Sequence, residues 1–350
     1  MKLLEMKNIC KAFNGIPVLK NVELSIEKGE VHALMGENGA GKSTLMNVLT
    51  GVYKKDDGEI TFDGQSMEHI TVKKSEEAGI AFVHQELNLF NDMTVYENIF
   101  LGKEYVTKTG RCDKKKMVQK AAELFERLDV KIDPLEKVEN LKTSEKQLLE
   151  ISKALFFEAK LLILDEPTTA LNNEEVDHLF QIIRNLKKQG TSFIFISHKM
   201  PEVFQIADRY TVFRNGSYIA SGAIKDIDPE KMTGLMVGGS FSDADVYEKR
   251  PVGDTILKLD NFTGPGFHQI SLEVKKGQII GLTGLQGAGS SELMQCMFGV
   301  TGATGGSMLV HGKKVPHHSI HKSMNAGVAM LASNRKENSV IGDMSLLENM

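Results

Sequence analysis

A glycine-rich loop that ends in a lysine and a serine is the part of the sequence best suited to chemistry. It follows Val31–Met35, an apolar stretch that predicts a buried strand, and the residues from Lys42 to Thr50 predict a helix. In this context glycine N–H groups wrap phosphates, the helix N-terminus adds positive potential, lysine contacts the β- and γ-phosphates, and serine ligates Mg²⁺. A plain glycine turn is the alternative, but the complete pattern disfavours it. The predicted nucleotide-binding residues here are Gly36, Glu37, Asn38, Gly39, Ala40, Gly41, Lys42, Ser43 and Thr44.

Two adjacent carboxylates follow Leu161–Leu164, an apolar stretch that predicts a second buried strand. Beside a phosphate loop, one such carboxylate can hold Mg²⁺ and the other can polarise the attacking water. We therefore predict that Asp165 is a metal ligand, acting through water, and that Glu166 is the catalytic base. An acidic turn after any α/β strand is the alternative, and the phosphate loop upstream makes it less favoured.

Three further residues carry weaker signals. His198 follows the apolar run Phe193–Ile196 and is a candidate to contact the γ-phosphate and sense its loss. A strand-end histidine is more often an ordinary surface residue, so this interpretation depends on the other motifs. Gln85 and Phe13, taken alone, are each more typical of structural positions.

The phosphate loop recurs 248 residues later, at Gly284–Ser291, with Ser290 in place of the lysine. The repeat extends outward, since Val22–Glu30 aligns with Ile270–Gln278 at the same offset. The second copy is shorter, because the stretch from about 100 to 239 has no counterpart. Two copies predict duplicated domains rather than a solenoid. The second phosphate-loop strand is expected to expose an apolar sheet edge, because its neighbouring strand has no counterpart.

Helical and strand patterns alternate along the first copy. Lys114–Leu128 and Ser144–Phe157 have the apolar spacing of helices, and they lie between stretches that predict strands. This alternation predicts an α/β fold with a mostly parallel sheet.

Bulk properties exclude several classes of protein. The net charge of −4 argues against a general electrostatic nucleic-acid binder. No apolar run approaches the roughly 18 residues that span a bilayer, and the charged start of the chain does not resemble a signal peptide. Cys10, Cys112 and Cys296 lack metal or redox spacing and are typical of reduced cytosolic thiols. Any membrane role is therefore expected to go through a partner.

Taken in order, these features resemble the ATP-binding cassette (ABC) ATPases. The more specific resemblance is to the tandem ATPase subunit of bacterial importers for ribose, galactose and xylose, and it covers essentially all 350 residues. The phrases that carry it are Gly-Glu-Asn-Gly-Ala-Gly-Lys-Ser-Thr-Leu-Met, His-Gln-Glu-Leu-Asn-Leu, Glu-Asn-Ile-Phe-Leu-Gly and Asp-Glu-Pro-Thr-Thr-Ala-Leu.

The resemblance implies a P-loop NTPase fold of the ABC type, with an antiparallel β subdomain, a helical subdomain and an incomplete second copy. The implied first domain is 1–238, with the helical subdomain at about 88–157, facing the membrane subunits. A polar linker at 239–254 leads to a degenerate second domain at 255–350.

The resemblance also implies ATP hydrolysis coupled to monosaccharide uptake, with ATP and Mg²⁺ as cofactors. Lys42, Glu166 and His198 would be catalytic, and Phe13 would stack on adenine. Gln85 would join Ser43 and Asp165 at Mg²⁺ and link it to the transmembrane partner. The implied partners are permease subunits, indirectly a sugar-binding protein, and a second ABC domain for dimerisation, with no nucleic acid. The implied location is the cytoplasmic face of the cell membrane, as a peripheral subunit.

The sequence departs from the family pattern at three positions, and the departure at Asn172 is expected to weaken cross-talk between sites. Lys142 stands where the family commonly has serine, and Asn172 stands where it usually has aspartate. Ser290 removes the cation of the second loop. In a head-to-tail dimer Lys142 and Ser290 belong to one composite site, which the resemblance implies to be non-hydrolytic.

Two other functions remain open at this stage. The departures and the short second copy also fit an inactive or regulatory subunit, either a fragment or a naturally truncated gene. A soluble ABC protein acting on ribosomes or DNA fits less well, because basic surfaces, zinc cysteines and long coiled-coil insertions are not visible. The imported substrate could also be a nucleoside or a sugar-like signal.

Overall fold

The apolar stretches that predict strands lie side by side in one sheet. A computed structural model of the chain describes residues 1–84, 88–156, 159–169, 171–239, 251–284, 287–316, 318–331 and 340–349. Its strands are β1 Lys2–Phe13, β2 Ile16–Glu27, β3 Val31–Met35, β4 Asp57–Phe62, β5 Gln65–Ser66, β6 Ile80–Val83, β7 Leu161–Asp165, β8 Ser192–Ile196, β9 Arg209–Arg214, β10 Ser217–Ala223, β11 Thr255–Gly264, β12 Phe267–Lys275, β13 Gly305–Val310 and β14 Lys313–Lys314. Its α-helices are α1 Lys42–Leu49, α2 Val72–Ala78, α3 Val95–Phe100, α4 Lys114–Leu128, α5 Thr143–Phe156, α6 Asn173–Lys188, α7 Met200–Ile206, α8 Pro229–Val237, α9 Ser290–Phe298, α10 Ile320–Asn325 and α11 Leu346–Asn349.

The chain divides into two compact units, Met1–Ser242 and Asp243–Met350. Most of the predicted linker at 239–254 falls outside the described residues, so its character stays a prediction.

The first unit is built on a six-stranded sheet in the order β10-β9-β3-β8-β7-β6. All its pairs are parallel except the β9–β10 hairpin. Successive residues of the central strands point to opposite faces, and both faces are buried. In β8, Phe193 and Phe195 join one core cluster while Ile194 and Ile196 join the other. The predicted α/β fold with a mostly parallel sheet is confirmed.

Different elements pack on the two faces of this sheet. An antiparallel sheet, in the order β2-β1-β4-β5, shares one core cluster with helix α1. On the other face lie the helices of segment 88–156, where α3, α4 and α5 contact one another. Helix α4 has the predicted bounds, and the residues predicted for its apolar face are all buried: Met117, Ala121, Leu124, Phe125 and Leu128. Helix α5 begins at Thr143, one residue before its predicted start.

The second unit repeats the antiparallel sheet of the first. Its strands follow the order β12-β11-β13-β14, which matches β2-β1-β4-β5 in the first copy. Left-handed backbone positions recur as well, since Asn21 and Gln269 have φ values of 49° and 51°. Asp63 and His311 have φ values of 48° each. The repeat that the sequence shows is therefore a repeat of backbone conformation.

The prediction that a strand before the second phosphate loop exposes an apolar sheet edge is wrong. Residues 278–284 form no strand, and Ile279 and Leu282 are 89% and 45% exposed. In the first unit β3 pairs with β8 on one side and β9 on the other. Among the described residues of the second unit nothing pairs with 279–283, so an apolar composition alone does not produce a strand there.

This difference predicts unequal amide hydrogen exchange in the two copies. We expect residues 31–35 to exchange more slowly than 279–283 by on the order of 10³, equivalent to about 4 kcal/mol of local stability. Mass spectrometry of peptic fragments measures both segments in one sample. Strands β11 and β12 serve as the internal control, because their protection shows that the second unit is folded. Equal protection of 31–35 and 279–283 would contradict the structure.

Candidate functional site

The first phosphate loop runs from the end of β3 to the first turn of α1. Gly36 and Gly41 have φ values of 148° and 101°, which side-chain-bearing residues rarely adopt. A Cβ on Gly36 would lie 2.4 Å from the Phe213 carbonyl oxygen, and one on Gly41 would lie 2.8 Å from Leu19 Cδ2. These glycines are required because β9 and the β1–β2 hairpin pack closely against the loop.

Lys42 reaches back across this loop. Its Nζ donates to the carbonyl oxygens of Gly36 at 2.6 Å and Glu37 at 3.1 Å. Partial burial lowers the pKa of Lys42, while the charges of Asp165 and Glu166 oppose that shift. Ser43 is exposed and Thr44 half-buried in the same helical turn. The loop therefore combines a cation, a hydroxyl and a helix N-terminus, which together suit an anionic group.

Asp165 ends β7 in register with Ile196 of β8. Burial is the main cause that raises the pKa of Asp165, the neighbouring charge of Glu166 adds to it, and Lys42 counteracts it. Two carboxylates and one amine thus share a site of low solvent access. Such excess negative charge, with the Ser43 hydroxyl on the loop, fits a hard divalent cation with oxygen ligands.

Glu166 has a backbone conformation that is unusual for its residue type. Its φ is 51°, in the left-handed region, which costs a non-glycine residue about 1–3 kcal/mol. The Glu166 N–H donates to the Ile196 carbonyl at 2.9 Å, and its carbonyl accepts from Thr169 Oγ1 at 3.1 Å. Strain of this kind is typical of functional positions, where surrounding contacts hold one residue in a required orientation.

The Glu166 side chain contacts His198. Nδ1 of His198 lies 2.8 Å from Oε1 with hydrogen-bond geometry, and 2.7 Å from Oε2 without it. The Glu166 side chain is 14% exposed and that of His198 is 67% exposed. With the proton on Nδ1, the histidine donates to the carboxylate and fixes its orientation. The structure thus brings Lys42, Asp165, Glu166 and His198 to one edge of the sheet.

Phe13 lies at the tip of the β1–β2 hairpin, where it pairs with Ile16. It is 38% exposed, and its ring meets the ring of Tyr53 edge-on at 5.1 Å. Lys11 Nζ lies 5.3 Å from the same ring. Sequence reasoning missed Tyr53, although an aromatic residue shortly after the phosphate-loop helix was a usable signal. The pair offers two partly exposed aromatic surfaces to a planar ligand.

The remaining predicted positions have other surroundings. Gln85 lies outside the described residues, so its role stays a prediction. Lys142 is exposed before α5, and its N–H donates to Glu145 Oε2 at 2.8 Å. Asn172 is the N-cap of α6: its Oδ1 accepts from the Glu175 N–H at 3.0 Å, and Glu175 Oε2 accepts from the Asn172 N–H at 2.9 Å. An amide therefore performs a structural task at the position of the expected aspartate.

The second phosphate loop keeps the backbone turn but lacks the cation. Gly289 has a φ of 90° before α9, and a Cβ there would lie 2.2 Å from the Gly266 carbonyl oxygen. Ser290 is exposed at the position equivalent to Lys42. Among the described residues of this loop, the turn at Gly289 into α9 repeats the turn at Gly41 into α1, but no amine follows it.

One known protein family matches both copies of the repeat. The family described as ABC transporter matches residues 19–169 and 267–349. Each matched range includes a phosphate loop.

Curated relatives match nearly the whole chain. The ribose import ATP-binding protein of Bacillus cereus is 43% identical over 349 residues, covering 99% of this chain and 70% of that protein. The galactose/methyl galactoside import ATP-binding protein of Salmonella typhimurium is 40% identical over 356 residues, with 99% of this chain and 70% of that protein covered.

Solved structures match about two thirds of the chain. A nucleotide-free ATP-binding cassette from an ABC transporter has a TM-score of 0.60 and 29% identity, covering 67% of this chain and 98% of that one. The ADP conformation of an ATP-binding cassette has a TM-score of 0.60 and 30% identity, covering 68% of this chain and 99% of that one. The matches in both copies, together with the site geometry, show that this chain belongs to the ABC transporter family, as one of its ATP-binding ATPase subunits.

Proposed function

We propose that this subunit hydrolyses ATP to drive the uptake of a monosaccharide of the ribose, galactose or xylose class. Uptake would pass through separate permease subunits fed by a sugar-binding protein. The observation that carries the ATPase part is the Glu166–His198 contact beside Lys42 and Asp165. The sugar class rests on the names of relatives that are 40% and 43% identical to this chain.

In this proposal ATP lies along the first phosphate loop. Its phosphates contact the loop N–H groups and the Lys42 amine, which exchanges neutral carbonyl acceptors for anionic oxygens. The adenine lies against Phe13, with Tyr53 supporting the ring edge-on. Ser43, Asp165 and Gln85 are the residues that would hold Mg²⁺, which neutralises phosphate charge when bound. Mg²⁺ at nucleotide sites usually takes one or two carboxylates, with phosphate and water oxygens as its other ligands.

The protein's own part in the reaction is to hold a proton acceptor. The Glu166 carboxylate accepts a proton from the water that attacks the γ-phosphate. His198 donates to this carboxylate through Nδ1 and keeps it aligned. Exposure of His198 leaves its ring accessible to the γ-phosphate.

A cleft between the six-stranded sheet and helix α5 is our proposed contact for the permease. It has a volume of about 440 Å³ and includes the edges of α2, β6 and α3. Its apolar lining residues include the partly exposed Val52, Val72 and Leu101. Within the described ranges, every helix is too short or too polar to cross a lipid bilayer. In this proposal, which rests on the import role in the names of its relatives, the subunit is a peripheral partner at the cytoplasmic face of the membrane.

The first prediction concerns nucleotide affinity. Lys42→Ala should weaken MgATP binding about 10- to 100-fold, because a charge-assisted contact contributes about 1.5–3 kcal/mol. Ser290→Ala is the matched control in the second loop and should change affinity little, since no cation is lost. Calorimetric titration of both variants tests this. Equal losses in the two variants would contradict the asymmetry between the loops.

The second prediction concerns hydrolysis. Glu166→Gln should bind MgATP normally but turn it over about 10²- to 10⁴-fold more slowly, because the amide keeps the shape and loses the base. Phosphate release under saturating MgATP gives the rate. Glu123→Gln, on the exposed face of α4, is the control and should match the wild type. Near-normal turnover by Glu166→Gln would remove Glu166 from the role of base.

The third prediction concerns the permease contact. Val72→Glu places a charge in the cleft and should abolish co-purification with permease subunits from membranes, because a desolvated charge is costly at an interface. ATP binding by the isolated chain should remain normal. Val237→Glu in α8 is the matched control, since Val72 and Val237 are 48% and 42% exposed and only Val72 lines the cleft. If both variants retain the permease equally well, the cleft is not its binding surface.

A further inference from the structure

A buried polar cluster adjoins the catalytic pair Glu166 and His198 along the chain. Its members are Thr168, Ser197 and Glu202, which are 0%, 3% and 9% exposed. Thr168 lies two residues after Glu166, and Ser197 immediately precedes His198. The cluster therefore belongs to both of the loops that carry the catalytic pair.

One carboxylate joins the two loops. Glu202 Oε2 accepts hydrogen bonds from Thr168 Oγ1 at 2.6 Å and from Ser197 Oγ at 3.4 Å. Its other oxygen, Oε1, pairs with Lys199 Nζ at 3.1 Å. A hydrogen bond to a buried carboxylate is charge-assisted and stronger than a neutral one. The short Thr168 contact is therefore the main connection between the loops.

Lys199 connects the same loops a second time. Its Nζ donates to the Thr168 carbonyl oxygen at 3.1 Å, and its N–H donates to Ser197 Oγ at 3.1 Å. The buried charge of Glu202 thus has a cation and two hydroxyl partners, as a charge in a low-dielectric site requires. Such a fully partnered network holds its members at fixed separations.

The catalytic pair needs this rigidity. Glu166 has a positive φ, and a strained conformation persists only where surrounding contacts fix it. The 2.8 Å hydrogen bond between Glu166 and His198 depends on the separation of the loops after β7 and β8. Displacement of a reacting group by about 1 Å can cost a factor of about 10² in rate.

We propose that Glu202 is a positioning residue for ATP hydrolysis, acting through Thr168 and Ser197 on Glu166 and His198. The inference rests on the proposed ATPase function and adds the element that sets the alignment of its base. Glu202 itself touches neither nucleotide nor water in this proposal. Loss of its hydrogen bonds should therefore lower kcat and leave KM for MgATP unchanged.

The test uses Thr168→Val in the full chain, with kcat and KM for MgATP measured at steady state. We expect kcat to fall about tenfold or more, with KM within about twofold of the wild type, because alignment and not binding is lost. Thr168→Ser restores the hydroxyl and should recover most of the rate. Glu202→Gln should repeat the kcat-specific loss.

A matched control separates positioning from general stability. Thr211→Val removes another buried threonine hydroxyl, 2% exposed, which lies 2.8 Å from His32 Nε2 in the core. Its unfolding midpoint should fall as that of Thr168→Val does, but its kcat should not. Equal kcat losses in the two valine variants would overturn the inference.

A double-mutant cycle identifies the group through which Thr168 acts. Single-turnover rates are measured for Glu166→Gln with and without Thr168→Val. If Thr168 acts through the Glu166 base, the second substitution should cost nothing further, whereas independent losses would multiply and overturn the inference. Normal hydrolysis by Glu166→Gln alone would instead contradict the role of Glu166 as base, and a wild-type chain that does not hydrolyse MgATP would contradict the proposed function. Slow hydrolysis by Glu166→Gln with a normal rate for Thr168→Val would contradict only the positioning role.

Discussion

The catalytic site depends on the parallel pairing of three strands, β3, β8 and β7. Their registers join Ala33 with Phe195 and Phe195 with Leu164 across the sheet. Because parallel strands end at the same edge, the loops that follow them must meet there. Alternate side chains of these strands pack into two different core clusters, so a slip of one residue would move each side chain into the wrong cluster and disrupt the packing of both. The phosphate loop, the carboxylate pair and His198 are therefore brought together by the core rather than by their own contacts.

The second constraint on the catalytic edge of the sheet is the balance between the charges of Lys42 and Asp165. Burial lowers the pKa of Lys42 and raises that of Asp165, so each group disfavours its charged form when considered alone. Each also stabilises the charge of the other, which keeps a cation and an anion in a poorly solvated site. The amine currently donates to the neutral carbonyls of Gly36 and Glu37. A phosphate is a stronger acceptor than a carbonyl, so nucleotide binding can replace these contacts at little cost.

Sequence patterns predicted the elements whose signals are local. Apolar spacing predicted helix α4 with its bounds, and apolar runs predicted β3 and the strand β7 that ends at Asp165. They did not predict the Thr168–Glu202 hydrogen bond or the Tyr53–Phe13 contact, because both depend on strand order and hairpin placement. The prediction of a strand in the second copy failed for a related reason. Residues 279–283 have the composition of a strand, but strand formation requires pairing partners that composition does not encode.

The two copies show that the glycine turn into a phosphate-loop helix can be present without the lysine that would contact phosphate. Gly41 and Gly289 have similar left-handed conformations before helices α1 and α9. The next residue is a lysine in one copy and an exposed serine in the other. Glycines and close packing determine the path of the loop at Gly41 and Gly289, whereas the lysine adds a charge-assisted contact of about 1.5–3 kcal/mol to a terminal phosphate. The second copy therefore keeps the turn into its helix while it lacks both the cation and, among the described residues, the strand that leads into the first loop. Similarity of backbone between the copies is for this reason weak evidence for similarity of function, and the side chains at the strand ends decide it.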